Sequence, residues 1–262
     1  MQILVGCDPE IFVKQNGKFV SAHALIPGNK QHPHKVERGA VQVDGMALEF
    51  NIDPAHTENE FVMNIQTVMA KLKEMCPNYE LVATPVADFS LDYIRSQPEE
   101  ARELGCEPDF SAYSGMANIK PNAELPMRTA SGHVHIGWGD GFDVNSAEHD
   151  ARCRAVSQQM DLFLGIPSLF YDADQRRREM YGKAGCYRLK SYGCEYRTLS
   201  NAWLLTPERM AWVYRQVQAG MKALMGGFMA SQEVKNLERI INTGDKQAAE
   251  KLVNQYKLEI CA

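Results

Sequence analysis

The chain has 262 residues, 45% of them hydrophobic and 23% charged, the make-up of an ordinary globular protein long enough to bury a sizeable core. A net charge of −5 excludes a general attraction for nucleic acid, so an anionic ligand has to be held by a local basic pocket. No apolar run approaches the ~20 residues of a membrane helix. The seven cysteines (Cys7, Cys76, Cys106, Cys153, Cys186, Cys194, Cys261) are odd in number and contain no CxxC, which argues against a disulfide framework or a zinc ribbon. They and an N-terminus without a basic signal region point to a reducing cytoplasm.

The first predicted strand covers 2–13 and is interrupted at Pro9, which has no amide for a ladder and marks an edge or bulge. Asp8 and Glu10 lie two apart. They face the same way if the strand continues and then repel unless a cation lies between them; Asp-Pro is equally a common turn starter. Asn16-Gly17 closes a hairpin onto 18–20. In the Pro/Gly/His-rich loop that follows, His23, His32 and His34 lack ligand-like spacing and read as solvated, while Lys30 and Lys35 can reach a phosphate. The second β segment covers 40–52, with a hairpin signal at Asp44-Gly45. Beyond that turn, Glu49 and Asn51 share one face, and Leu48, Phe50 and Ile52 share the other, the core side.

Thr57 or Asn59 caps a helix over about 58–75, whose apolar stripe is Phe61, Ile65, Val68, Met69 and Leu72. Residues 80–89 read as another strand. Residues 90–128 are irregular, with one short helix at about 98–104, and read as an excursion over the mouth of a site. Residues 128–138 form a strand with His133 and His135 two apart. That pair reads three ways: zinc ligands, polar groups aimed at a phosphate or a carboxylate-bound metal, or hydrogen-bonded half-buried histidines. A long helix, capped by Asn145 or Ser146, covers about 146–165 and stops before Pro167. Another starts at Pro207 and runs to about 225. The remainder reads as two short helices split at Thr243-Gly244-Asp245, a scaffold without paired polar strand residues.

The densest stretch is 181–203, YGKAGCYRLKSYGCEYRTLSNAW. Residues 194–199 make a short strand on which Glu195 and Arg197 share a face. Arg188 and Lys190 repeat that spacing upstream, and Arg176, Arg177 and Arg178 precede them. Alone, a Glu-x-Arg pair reads as a surface salt bridge. Together with Asp8/Glu10, Glu49/Asn51 and His133/His135 it makes four polar pairs on four strands, which implies one polar sheet face. Acids gathered there are costly to ionise without a cation, and oxygen ligands point to Mg²⁺ or Mn²⁺. Arginines beside such a cation point to a nucleotide polyphosphate. Neither a P-loop nor GxGxxG is present.

The order of GCDPEIF, DGMALEFNIDPA, SGHVHIG and the 181–203 stretch resembles the phage-type carboxylate–amine ligases (COOH–NH2 ligases, or amidoligases), relatives of glutamine synthetase and glutamate–cysteine ligase. The resemblance covers roughly 3–205. It implies an α+β fold, with a glutamine-synthetase-like antiparallel sheet whose concave face is polar and helices on the other face, forming one catalytic domain over 1–262. It implies an enzyme of the cytoplasm (the host's, for a phage gene) that uses ATP and Mg²⁺ to join a small-molecule or peptide carboxylate to an amine through an acyl phosphate. On the matching positions, Asp8, Glu10, Glu49 and Glu195 would be metal ligands, with His133 or His135 at the metal and phosphate site. Arg197, with Arg188 second, would stabilise the transferring phosphoryl group. Asn51 would orient substrate or a metal-bound water, and Lys183, Lys190 and Arg178 would meet phosphate or substrate carboxylate. The better-known relatives carry Glu-x-Glu where this chain has Asp-Pro-Glu, so Asp8 is expected to coordinate through water. The oligomeric state stays open. Three rival readings remain: a guanidino phosphotransferase on the same sheet, a metal-dependent hydrolase built on the two histidines, and a binding protein on a decayed ligase fold.

Overall fold

Proline decides where the first strands part. The computed structural model describes residues 2–102, 109–119 and 124–261. Strands β1 (Leu4–Cys7) and β2 (Glu10–Gln15) flank Pro9, and β3 (Lys18–Val20) returns from a turn in which Asn16 and Gly17 take φ of 52° and 75°. The strands β4 (His34–Val36), β5 (Gly39–Asp44) and β6 (Ala47–Ile52) form a meander. After helix α1 (Glu58–Met75) come β7 (Glu80–Val82), β8 (Val86–Asp88), α2 (Leu91–Arg95), α3 (Glu99–Arg102), β9 (Phe110–Ser111), β10 (Met127–Thr129) and β11 (Val134–Gly137). Helices α4 (Ala147–Met160), α5 (Ile166–Tyr171) and α6 (Arg176–Met180) lead to the hairpin of β12 (Cys186–Lys190) and β13 (Gly193–Tyr196). The chain closes with α7 (Pro207–Met225), α8 (Ala230–Glu233), α9 (Leu237–Thr243) and α10 (Lys246–Tyr256).

All pairings among the described residues are antiparallel, but the polar residues do not lie on one sheet as the sequence suggests. One sheet has the order β1-β11-β13-β12-β9, and a second runs β3-β2-β6-β5-β4 with β7 also on β2. The two meet at Asp8-Pro9-Glu10. Pro9 gives no amide, yet its carbonyl accepts the Phe50 amide at 3.2 Å, and Val5 pairs with Ala55 beyond the end of β6. The break therefore changes sheet without losing contact.

Two other expectations are corrected at prolines. The strand over 80–89 divides before Val86, because Pro85 cannot continue a ladder; its first half joins β2 and its second joins β10. The helix expected to stop before Pro167 instead passes through a π-helical turn at Asp161–Gly165 into α5. Pro167 sits in the first turn of α5, where a missing amide costs little. The Asp44-Gly45 signal is off by one: Asp44 pairs with Ala47, so Gly45 and Met46 make the turn. In the irregular region α2 was not anticipated. Of the helix expected at 98–104, α3 covers Glu99–Arg102, and its last two positions, like Cys106, lie outside the described residues.

Helices cover the apolar backs of the sheets. Thr57 caps α1 by accepting the Glu60 amide, and Phe61, Ile65, Val68 and Leu72 bury one stripe against β5 and β6. Each such side chain contributes about 1.5–3 kcal/mol on leaving water. Helix α4 packs in the same way on β12 and β13. Leu48, Phe50, Val134, Ile136 and Tyr196 face this core, so strand alternation turns Glu49, His135 and Glu195 to the other side. A second core, around Leu162, Ile166, Leu237, Ile240 and Ile241, joins the last helices to the π-helical turn. The described cysteines are free thiols, and no helix among the described residues is long and apolar enough to cross a membrane.

Candidate active site

A row of register partners crosses four strands. Gly6 on β1 faces His135 on β11, His135 faces Glu195 on β13, and Glu195 faces Arg188 on β12. Asp8 extends over the row from the end of β1. Its Oδ1 lies 3.0 Å from His135 Nε2 and 3.3 Å from His133 Nδ1. Glu195 is fully buried beneath three cations: Lys190 Nζ is 2.8 Å from Oε2, Arg188 Nη1 is 3.5 Å from Oε1, and Arg197 Nη1 also donates to Oε1. Burial opposes ionisation of Glu195, but Arg197 and Lys190 outweigh it and hold the carboxyl well below its ordinary value. Burial likewise works against Asp8, and His135 reverses it, so this carboxyl is also held low. His133 is pushed down to about 4 by burial and by Arg197, and is therefore neutral near pH 7.

A second cluster lies across the sheet break. Glu10 and Glu49 are directly opposite each other on β2 and β6, and Asp44 joins them from the end of β5. The Ser131 amide donates to Glu10 Oε2 at 2.8 Å, and Lys30 Nζ lies 2.8 Å from Asp44 Oδ1. Burial, with Asp44 alongside, pushes Glu10 up to about 7. Glu49 is raised well above the usual range by burial and then by Asp44 and Asp8.

Both clusters have the chemistry of a cation site. Asp8, His135 and Glu195 each offer a ligand atom within 4.8 Å of the others, as do Glu10, Asp44 and Glu49. In the first group, Asp8 Oδ1, His135 Nε2 and Glu195 Oε2 are buried, with Asp8 and His135 3.0 Å apart and Lys190 2.8 Å from Glu195. Two carboxylates and an imidazole converging in one buried spot make a donor set that fits a divalent cation.

The model of the phage phiEco32-like COOH.NH2 ligase-type 2 family matches residues 126–260, just over half of the chain. The chain belongs to this COOH–NH2 ligase family. No curated protein matches it. The part matched to the ligase family carries His133, His135, Arg188, Lys190, Glu195 and Arg197, whereas Asp8, Glu10, Asp44 and Glu49 come from outside it.

The fold gathers most of the residues singled out in the sequence, in altered partnerships. Asp8 and Glu10 part company at Pro9: Asp8 joins the histidines, and Glu10 joins Glu49. Asn51, two residues past Glu49 on the same face, is half-buried beside the second cluster. Arg197 is only 9% exposed and is largely committed, with Nε donating to Asp109 at 3.3 Å and Nη1 to Glu195 and His133. Arg188 and Lys190 are the more accessible cations of the row. Of the weaker candidates, Arg178 is corrected. Arg178 is buried and paired with Asp172 at 3.3 Å beside Ser168 of α5, because a buried guanidinium needs a carboxylate and that one is adjacent. Lys183 is exposed, and what binds the sheet there is its carbonyl, which accepts from Thr198 Oγ1 at 3.0 Å.

Other residues of the site were not anticipated. In the sequence Asp44 reads only as a turn residue, although alternation from Gln42, the register partner of Glu49, places it on the acidic face. Asp109 reaches Arg197 from 88 positions away and is held by Asn118 Nδ2 at 3.0 Å, a relation no local pattern encodes. Arg177 was one of three arginines in a run. It is 1% exposed, donates to Thr198 O at 2.8 Å and Ser131 Oγ at 3.1 Å, and burial pushes it down to about 10.

Proposed function

We propose that this chain is an ATP-dependent carboxylate–amine ligase that forms an amide through an acyl phosphate. The observation that carries the reading is the convergence of three buried ligand atoms, from Asp8, His135 and Glu195, beside Arg188 and Lys190, in a member of a COOH–NH2 ligase family. Asp8, His135 and Glu195 would hold one divalent cation, Mg²⁺ or Mn²⁺, and Glu10, Asp44 and Glu49 a second. When bound, ATP and its cations supply the phosphoryl group that makes a carboxylate electrophilic and the charge that neutralises its transfer. Arg188 and Lys190 are the groups placed to grip phosphate oxygens. Arg197 acts from beneath them, fixing Glu195, His133 and Asp109 in one arrangement, so the residues need no reorganisation when charge develops. Asn51 is an amide beside the second cluster and orients substrate or water. The segment that carries Asp109 and Asn118 borders the row and is the natural place for substrate selection. The substrates are a small-molecule or peptide carboxylate and an amine.

Calorimetric titration with a non-hydrolysable ATP analogue tests the reading. Binding is expected with Mg²⁺, to vanish with EDTA and to weaken in Lys190→Met. Carboxylate and amine pairs can then be screened for ADP release. No binding with Mg²⁺, alone or with those pairs present, would refute the nucleotide site.

A further inference from the structure

The two histidines of the HxH pair are not equivalent. His133 Nδ1 lies 3.2 Å from Arg197 Nη1 and 3.3 Å from Asp8 Oδ1, so that nitrogen is already engaged within the Arg197–Asp8 network. His135 is held differently. Its Nδ1 is hydrogen-bonded to the hydroxyl of Tyr192, and its ring stacks on the Tyr192 ring with centroids 5.9 Å apart and planes 19° apart. The opposite nitrogen, Nε2, is buried and lies 3.0 Å from Asp8 Oδ1. Tyr192 is itself fixed, since it lies in the turn between β12 and β13 and its carbonyl accepts the Trp138 amide at 3.0 Å. A tyrosine phenol is a hydroxyl able both to donate and to accept.

We infer that Tyr192 is a positioning residue for cation binding: it holds the plane of His135 and accepts the proton on Nδ1, so that Nε2 presents its lone pair to a cation shared with Asp8 and Glu195. This rests on the reading that those three residues hold a cation. A ring nitrogen that binds a metal requires its proton on the other nitrogen, and the group bonded there sets the tautomer and the ring's orientation. The inference also assigns the two histidines separate work, His135 as ligand and His133 as part of the Arg197 network.

The test uses Mn²⁺ as the probe, with binding followed by electron paramagnetic resonance and nitrogen coordination by spin-echo modulation. The wild-type protein is expected to bind Mn²⁺ with one nitrogen coupling that His135→Ala abolishes. Tyr192→Phe keeps the stacked ring and removes only the hydroxyl. It is expected to weaken Mn²⁺ binding by about 10–100-fold and to lose or broaden the nitrogen coupling, with an unchanged circular dichroism spectrum. A second measurement needs no tyrosine variant: ¹⁵N spectra of histidine-labelled wild-type protein in Mg²⁺ should show His135 protonated at Nδ1. Unchanged affinity and coupling in Tyr192→Phe, or a proton on Nε2 in Mg²⁺, overturns the inference. Wild-type Mn²⁺ binding without nitrogen coupling overturns it too but leaves a carboxylate cation site standing. No wild-type Mn²⁺ binding overturns both the inference and the functional reading beneath it.

Discussion

Glu10 and Glu49 are register partners on β2 and β6, two carboxylates facing each other where like charges ordinarily destabilise a ladder. Asp44 adds a third, and Lys30 offsets part of the charge. Burial and Asp44 push Glu10 from an ordinary value of 4.5 up to about 7. Between those values the folded chain holds a proton that the unfolded chain has released, so stability falls as pH rises through the window and the loss is complete above the folded value. Urea denaturation in EDTA from pH 5 to 8 should show a decline to which Glu10 contributes at most about 3 kcal/mol, with Glu49, raised by the same burial, adding to it. Glu10→Gln should make the slope shallower. An equal slope in the variant would remove Glu10 as the cause.

A cation should reverse that decline. At pH 8 a divalent ion at about 100 times its Kd adds about 2.7 kcal/mol by mass action. Added Mg²⁺ or Mn²⁺ should therefore raise Tm in the wild-type protein. Asp8→Asn and Glu49→Gln should each lose part of the rise, because their side chains belong to different clusters. A double variant that retains the full rise would place the ion elsewhere.

Arg197 and Lys190 should separate stability from phosphate binding. Arg197 is buried between Glu195 and Asp109, so Arg197→Ala leaves buried carboxylates without their partner and should cost about 3–5 kcal/mol in urea unfolding. The 28% exposed Lys190 keeps company with Arg188 over Glu195, so Lys190→Met should cost less, about 1–3 kcal/mol, while weakening nucleotide affinity. Comparable losses of stability in the two variants would contradict this division.

Gly182 is required by the buried Arg177. At φ of 73°, an added Cβ would come 1.9 Å from Arg177 Nη1 and 2.8 Å from the Thr198 carbonyl that Nη1 binds. Gly182→Ala combines left-handed strain with displacement of that guanidinium and should cost roughly 2–4 kcal/mol. Thermal unfolding reads it directly, and an unchanged Tm would show that Arg177 can move aside without loss.

Much of this was legible because strand periodicity is local. Leu48, Phe50 and Ile52 against Glu49 and Asn51, or Val134 and Ile136 against His135, assign faces without knowledge of the partner strand. The capping of α1 at Thr57 and the α7 start at Pro207 follow from equally short-range chemistry. The harder cases involve long-range partners. The same alternation puts Arg188, Lys190, Glu195 and Arg197 together, but it says nothing of Asp109, which turns Arg197 from an open phosphate-binding group into a buried tie.

Side-chain spacing of two to four positions along the chain was enough to place the long helices α1 and α7, the apolar strand faces and the residue types that meet at the site. Tertiary structure alone decided that Pro9 divides those residues between two sheets, that Asp8 goes to the histidines and Glu10 to Glu49, and that Arg178 leaves the site for Asp172. These outcomes depend on which strands pair and on which counter-ion packing leaves beside a buried charge, and both are settled once the chain has closed on itself.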